Sequence, residues 1–150
     1  MGLHTDARAA LDFLASNEIP YQKVILYGES LGSGIAVKAA SAHQFHAVIL
    51  EAPYTSIADV AQRQYWFLPV RWLVRDRYDT LAIINRITSP VVVMHGEQDE
   101  VIHVSFGKRV FEAAPEPKTA WFFEGAGHNN LNEFGFDIQL LNYLEGNRSR

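Results

Sequence analysis

The chain has 150 residues, 48% of them apolar and 20% charged, with no cysteine and a net charge of −4. That is one domain, able to bury roughly two-thirds of the surface its unfolded chain exposes. These numbers exclude disorder over most of the length, a disulfide framework, a thiolate metal site and a cysteine nucleophile. The acidic balance argues against a nucleic-acid partner, since sequence-independent binding needs clustered Lys and Arg.

The start, Met1-Gly2-Leu3-His4-Thr5-Asp6, lacks the basic and then apolar pattern of a secretory signal. Asp6 also stands where a myristoylation signal needs Ser or Thr. Residues 6–16 place Ala7, Ala10, Leu11, Phe13 and Leu14 at helical spacing, and Pro20 closes the segment. Val24-Ile25-Leu26-Tyr27 is a short apolar run ended by glycine, the pattern of a strand covered on both faces. The Ala-rich stretch from Leu31 to Ala42 predicts a closely packed helix, and Ala47-Val48-Ile49-Leu50 a second buried strand. Pro90 opens a third, Val91-Val92-Val93-Met94, followed by a helix from Val104 to Ala113. Ala120-Trp121-Phe122-Phe123 is the fourth strand. One last helix is expected from Leu131 to Leu144, with its apolar stripe at Phe134, Ile138, Leu141 and Leu144.

Strands joined by helix-length connections imply right-handed crossovers and a parallel sheet. The exception is the stretch 54–87, rich in aromatics (Tyr54, Tyr65, Trp66, Phe67, Trp72, Tyr78) and carrying Arg71, Arg75 and Arg77. It reads as one or two helices spanning the ends of the second and third strands, a cap-like insertion in a single domain of residues 1–150. Its aromatics from Tyr65 to Trp72 are either core or the wall of an acyl pocket. No apolar run approaches the ~20 residues that span a bilayer, so no transmembrane segment is expected. The Asn147-Arg148-Ser149 triplet matches a glycosylation acceptor by chance at a terminus. No compartment is specified, the cytoplasm being slightly favoured.

Gly28-Glu29-Ser30-Leu31-Gly32 is a G-x-S-x-G sequence that follows a buried strand and opens a helix. That is the setting of a nucleophile elbow, a tight turn that exposes the serine hydroxyl at the strand's carboxyl end. Its flanking glycines are expected to be sterically required. A serine hydroxyl needs a base, and the base an orienting acid. Asp99 follows the third strand and His128, in Gly125-Ala126-Gly127-His128, follows the fourth. Both therefore lie at the edge of the sheet where ligands bind in open α/β folds. Taken singly, Asp99 also fits a turn residue ahead of a helix, and His128 a plain loop histidine. Their joint order, Ser, acid, His, favours the triad.

Glu97 and Glu100 compete with Asp99 for the role of acid, with poorer spacing. His95 precedes Asp99 and is expected to shape the loop, and His103 to start a helix. His4, His43 and His46 read as surface or packing residues. Asp99, Glu100 and His103 have no second cluster to support a metal. Gly28, Gly32 and Gly34 fit neither the Walker A nor the dinucleotide spacing. No cofactor or metal is expected.

The sequence resembles the alpha/beta hydrolase superfamily. More narrowly, it is similar to the alpha/beta hydrolase domain-containing group that includes protein depalmitoylating thioesterases and bacterial relatives. The likeness is carried by Asp6-Ala7-Arg8-Ala9-Ala10-Leu11-Asp12-Phe13-Leu14, Tyr27-Gly28-Glu29-Ser30-Leu31-Gly32-Ser33-Gly34 and Leu50-Glu51-Ala52-Pro53-Tyr54-Thr55-Ser56. It continues through Pro90 to Asp99 and Gly127-His128-Asn129, with His103 departing from the proline common at that place. The resemblance implies Ser30 as nucleophile, Asp99 as acid, His128 as base and the Leu31 backbone N–H as one oxyanion donor.

It also implies that the first four strands of the family's core are absent. With them goes the loop that supplies the second oxyanion N–H, whose loss typically costs ~2.7–4 kcal/mol of transition-state stabilisation. The expected architecture is a three-layer α/β sandwich with about four parallel strands, the carboxyl-terminal half of an alpha/beta hydrolase. The implied activity is hydrolysis of carboxylic esters or thioesters, on a small-molecule or acyl-group substrate. The alternative is a truncated, non-catalytic module that acts by association with a partner chain. The strand at 24–27 would then be an open edge, inviting a homo-oligomer.

Overall fold

The computed structural model describes residues 2–67 and 78–147. Its main elements are α1 (Gly2–Ser16), β1 (Ile25–Glu29), α2 (Leu31–Ala40), β2 (Ala47–Glu51) and α3 (Ile57–Gln64). They continue with β3 (Val91–Gly96), α4 (Val104–Ala113), β4 (Lys118–Phe123) and α5 (Phe136–Asn147). The strands form one parallel sheet in the order β1-β2-β3-β4. In-register pairs such as Gly28↔Leu50, Leu50↔Val93 and Gly96↔Phe123 bring all four carboxyl ends to one edge.

Alternation along the strands sorts side chains to two faces. Val48, Leu50, Val91 and Val93 face one way and pack with Leu11 of α1, Ala36 and Val37 of α2, and Val110 of α4. Ile49, Val92 and Met94 face the other way and pack with Ala126, Leu131, Trp121 and the Phe136, Leu140, Tyr143 and Leu144 side of α5. The result is the expected three-layer sandwich. β2 and β3 are buried along their whole length, as their unbroken apolar runs require.

Three expectations need correction. β1 lies at the edge of the sheet, as the missing strands imply, but it is not covered on both faces as its apolar run suggests: Ile25 and Tyr27 are 39% and 45% exposed. The last helix is not continuous from Leu131. A 3-10 turn over Leu131–Phe134 ends at Gly135, whose left-handed φ of 77° separates it from α5. That break rotates the register, so Phe134, Ile138 and Leu141 face solvent and the buried side runs through Phe136, Leu140 and Leu144.

The third correction concerns the glycines around Ser30. A Cβ on Gly28 would lie 2.5 Å from Gly32 O and 2.8 Å from Ala36 Cβ, so α2 is seated on bare backbone there. A Cβ on Gly32 would meet nothing within 4 Å. Gly34 is tight for another reason, since its Cβ would fall 2.2 Å from the hydroxyl of buried Tyr54.

Of the 54–87 stretch, the described part holds α3, capped by Ser56 Oγ accepting from Asp59 N at 3.0 Å, and a 3-10 turn at Ile84–Arg86. Tyr65, Trp66 and Phe67 are exposed, Trp66 at 79%, so these three are not core. Trp72, Arg71, Arg75 and Arg77 lie outside the described residues.

Gly28→Ala should destabilise the chain by about 1–3 kcal/mol, because backbone and a helix must move to admit one methyl group. Gly32→Ala should be neutral or stabilising, by up to about 1 kcal/mol, as alanine replaces glycine in a helical turn with open space around it. Urea unfolding of the two variants against the parent checks the difference in sign.

Candidate active site

The path from β1 into α2 turns on one residue. Ser30 takes φ 49° and ψ −120°, a conformation unfavourable for a side-chain-bearing residue by about 1–3 kcal/mol. The turn is held from both sides. Ser30 N donates to Glu51 O of β2 at 2.9 Å, and Ser33 N and Oγ donate to Ser30 O at 3.0 and 2.7 Å. Tyr54 donates its hydroxyl hydrogen to Leu31 O at 3.3 Å, tying the loop after β2 to the start of α2. The Leu31 N–H lies in the first turn of α2, where backbone donors have no intrahelical acceptor.

The loops after β3 and β4 are built against each other. Glu97 N donates to Phe123 O at 3.0 Å and Gln98 N to Ala126 O at 2.8 Å. A Cβ on Gly96 would stand 2.4 Å from both Ala126 O and Gly127 O, so only glycine allows this approach. Asp99 is thereby held at 3% exposure. Its Oδ1 accepts from Val101 N at 2.9 Å and Ile102 N at 2.8 Å, while its Oδ2 accepts from His128 Nδ1 at 2.7 Å. Gly127 N donates to Asn130 Oδ1 at 2.7 Å, closing the turn that carries His128.

His128 Nε2 lies 3.2 Å from Ser30 Oγ. An ionised carboxylate can only accept, so the partners put the imidazole hydrogen on Nδ1 and leave the Nε2 lone pair facing the serine hydroxyl. Ser30, His128 and Asp99 are thus brought into one hydrogen-bonded line. The other candidates stand apart from it. Glu97 pairs with Lys108 Nζ at 3.0 Å near the surface, and Glu100 is exposed. His103 caps α4 by accepting from Ser105 N. His95 is fully buried beneath the Asp99 loop, with Nε2 3.2 Å from Asp99 Oδ2. His4 and His43 are exposed, the first tilted against Tyr78 and the second edge-on to Tyr21, and His46 is half-buried. Among the described residues, no group of three His, Asp or Glu side chains is placed to hold a metal ion.

Comparison with known proteins follows the same line. No protein-family model matches the chain. Human alpha/beta hydrolase domain-containing protein 17B is 36% identical over 144 residues, covering 93% of this chain and 47% of the human protein. An uncharacterized protein of Mycobacterium tuberculosis is 35% identical over 130 residues, covering 86% of this chain and 46% of its own. The solved acetyl xylan esterase from Paenibacillus sp. R4 superposes with a TM-score of 0.77 over 96% of this chain and 52% of that one, at 19% identity.

The chain belongs to the alpha/beta hydrolase superfamily. It spans about half the length of the curated relatives it matches.

Sequence reasoning passed over one group in this alpha/beta hydrolase. Glu51 ends β2 with its side chain buried, accepting from the Tyr27 hydroxyl. Burial raises its carboxyl above the ordinary range, opposed by the nearby imidazoles of His128 and His95. An acid closing an otherwise apolar buried strand was the signal. Asp99 goes the other way. Burial would raise it, but hydrogen bonds from His95, His128 and the Ile102 N–H, with the charge of His128, bring it down to about 2.

A carboxyl depressed from 3.8 to about 2 adds about 2 kcal/mol of stability, present in full above its unfolded value and lost as the pH falls through the folded one. Asp99→Asn should therefore be less stable than the parent at pH 6, with the difference closing between pH 4 and about 2. Urea titrations of both proteins across that range measure it.

Proposed function

We propose that this chain carries the catalytic half of a serine hydrolase that cleaves carboxylic esters or thioesters. The observation that supports it is the line from Ser30 Oγ through His128 to Asp99, with links of 3.2 and 2.7 Å. Ser30 Oγ attacks the substrate carbonyl while His128 Nε2 takes its proton, giving a tetrahedral oxyanion beside the Leu31 N–H. The intermediate collapses with return of the proton from His128 to the departing alkoxide or thiolate, leaving an acyl ester on Ser30. Water then attacks that ester, His128 takes a proton from the water and returns it to Ser30 Oγ, and the acid is released. Asp99 accepts from Nδ1–H throughout and stabilises the imidazolium without taking the proton. The exposed aromatics Tyr65, Trp66 and Phe67, at the end of α3, favour an acyl or aryl group over a charged one, and residues 54–87 are proposed as a cap over the serine.

A second reading rests on β1. Among the described residues the strand has a sheet partner on one side only; Ile25 and Tyr27 are exposed, and Ile25 lines a cavity of about 490 Å³ with Leu141 and Leu144. In that reading the chain acts as a module whose sheet is completed by a second copy pairing along β1.

Fluorophosphonate labelling and turnover of short-chain p-nitrophenyl esters should occur in the parent and vanish in Ser30→Ala. His128→Ala and Asp99→Asn should each lower kcat by about 10³-fold or more. A parent that neither labels nor turns over removes the hydrolase reading for this chain. Light scattering at high concentration should find a dimer that Ile25→Lys converts to monomer; a monomeric parent removes the second reading.

A further inference from the structure

The proposed mechanism leaves one buried imidazole unused, that of His95 in β3. Its side chain is fully buried against α4. Nε2 lies 2.7 Å from Ile102 O and 3.2 Å from Asp99 Oδ2. Both neighbours can only accept, so the hydrogen must sit on Nε2, bonded to Ile102 O with Asp99 Oδ2 in longer contact. Among the described residues Nδ1 has no hydrogen-bond partner, and it faces the Cα of Gly107, where a Cβ would lie 2.2 Å from it. A hydrogen on Nδ1 would point at a helix backbone with nothing to receive it, so one tautomer fits.

The geometry gives that hydrogen a purpose. The loop from Gly96 to Ile102 folds back so that Asp99 Oδ1 accepts from Val101 N and Ile102 N. Those two bonds hold the carboxylate from the loop side only; its oxygens turn together about the Cβ–Cγ bond, so a group held against Oδ2 restrains the same rotation from the opposite side. Oδ2 must aim at His128 across a gap between two loops, and His95 Nε2–H reaches it from the sheet side while also gripping Ile102 O. We propose that His95 is a positioning residue: through its Nε2–H it locks the rotamer of Asp99 and the closure of its loop, so that Oδ2 is presented to His128 Nδ1. Gly107 is part of the device, because its missing side chain is the space the ring occupies. The proposal rests on the reading of Ser30, His128 and Asp99 as a catalytic line.

The test compares His95→Phe, His95→Gln and Gly107→Ala with the parent, each checked for native fold by near-UV circular dichroism. Three quantities are read: kcat and KM on a p-nitrophenyl ester, the rate of fluorophosphonate labelling, and the low-field proton resonance of His128 Nδ1–H on Asp99. Phenylalanine keeps a ring but removes the donor, so kcat and labelling should fall about 10–100-fold with KM little changed, and the resonance should shift or vanish. Glutamine returns an N–H near the place of Nε2 and should recover activity to within about tenfold of the parent, along with the resonance. Gly107→Ala keeps the donor but displaces it, and should resemble the phenylalanine variant.

A folded His95→Phe with parental kcat and an unmoved resonance overturns the proposal. If His95→Phe does not fold, parental rates in Gly107→Ala overturn it. If neither folds, a natively folded His95→Gln that loses more than about tenfold does so. Should the parent itself neither label nor turn over, the hydrolase reading fails, and the resonance in the same variants still decides whether His95 sets the Asp99–His128 bond.

Discussion

A carboxylate taken almost wholly out of water must find donors for its oxygens or give up its charge. Asp99 finds four: two backbone N–H groups just ahead of it in the chain, one imidazole from the middle of the sheet and one from the loop after β4. Each donor fixes the segment that bears it. The first two curl the loop after β3, the third ties that loop back to the sheet, and the fourth draws in the loop after β4. The bare backbone of Gly96 lets those loops touch at Ala126 and Gly127. With the carboxylate held, the imidazole of His128 has one orientation left, and its second nitrogen faces the turn at Ser30.

That turn shows how a strained residue is kept in place by ordinary packing. Ser30 is bonded to the neighbouring strand through Glu51 O and to its own helix through Ser33, while Gly28 lets the helix sit close. The strain is met by these contacts with the neighbouring strand and with α2. The hydroxyl is left facing His128 Nε2. Tyr54, filling the space over Gly34, secures the helix from the loop after β2.

Much of this was legible in the sequence, and the reasons differ by element. α4 is found where expected, Val104–Ala113, because capping by His103 and the end of its apolar face mark both termini. The strands were found by their apolar runs but extend past them, β1 through Glu29, β3 through Gly96 and β4 from Lys118. The hydrogen-bond ladder continues through polar residues at a sheet edge, where hydrophobicity stops reporting it. Ser30, Asp99 and His128 were legible because their chemistry admits few residue types and strand ends place them. Glu51 and the contact of His95 with Gly107 were not, since they depend on which face of the sheet a helix covers. The break at Gly135 was hidden for a similar reason: helical spacing continues on both sides of it, and only the backbone angle separates the two parts.

The bond between His128 and Ser30 joins residues 98 apart in the chain. Between them lie three of the four strands, so the contact cannot form before the loop after β4 has been made. A chain elongating from its amino end completes β1 and α2, with the serine turn between them, long before the loop after β4 exists. Until that loop docks, Ser30 is a hydroxyl with no base in reach. The order in which the segments are made keeps the Ser30 hydroxyl apart from the imidazole while apolar surfaces are still open to other chains.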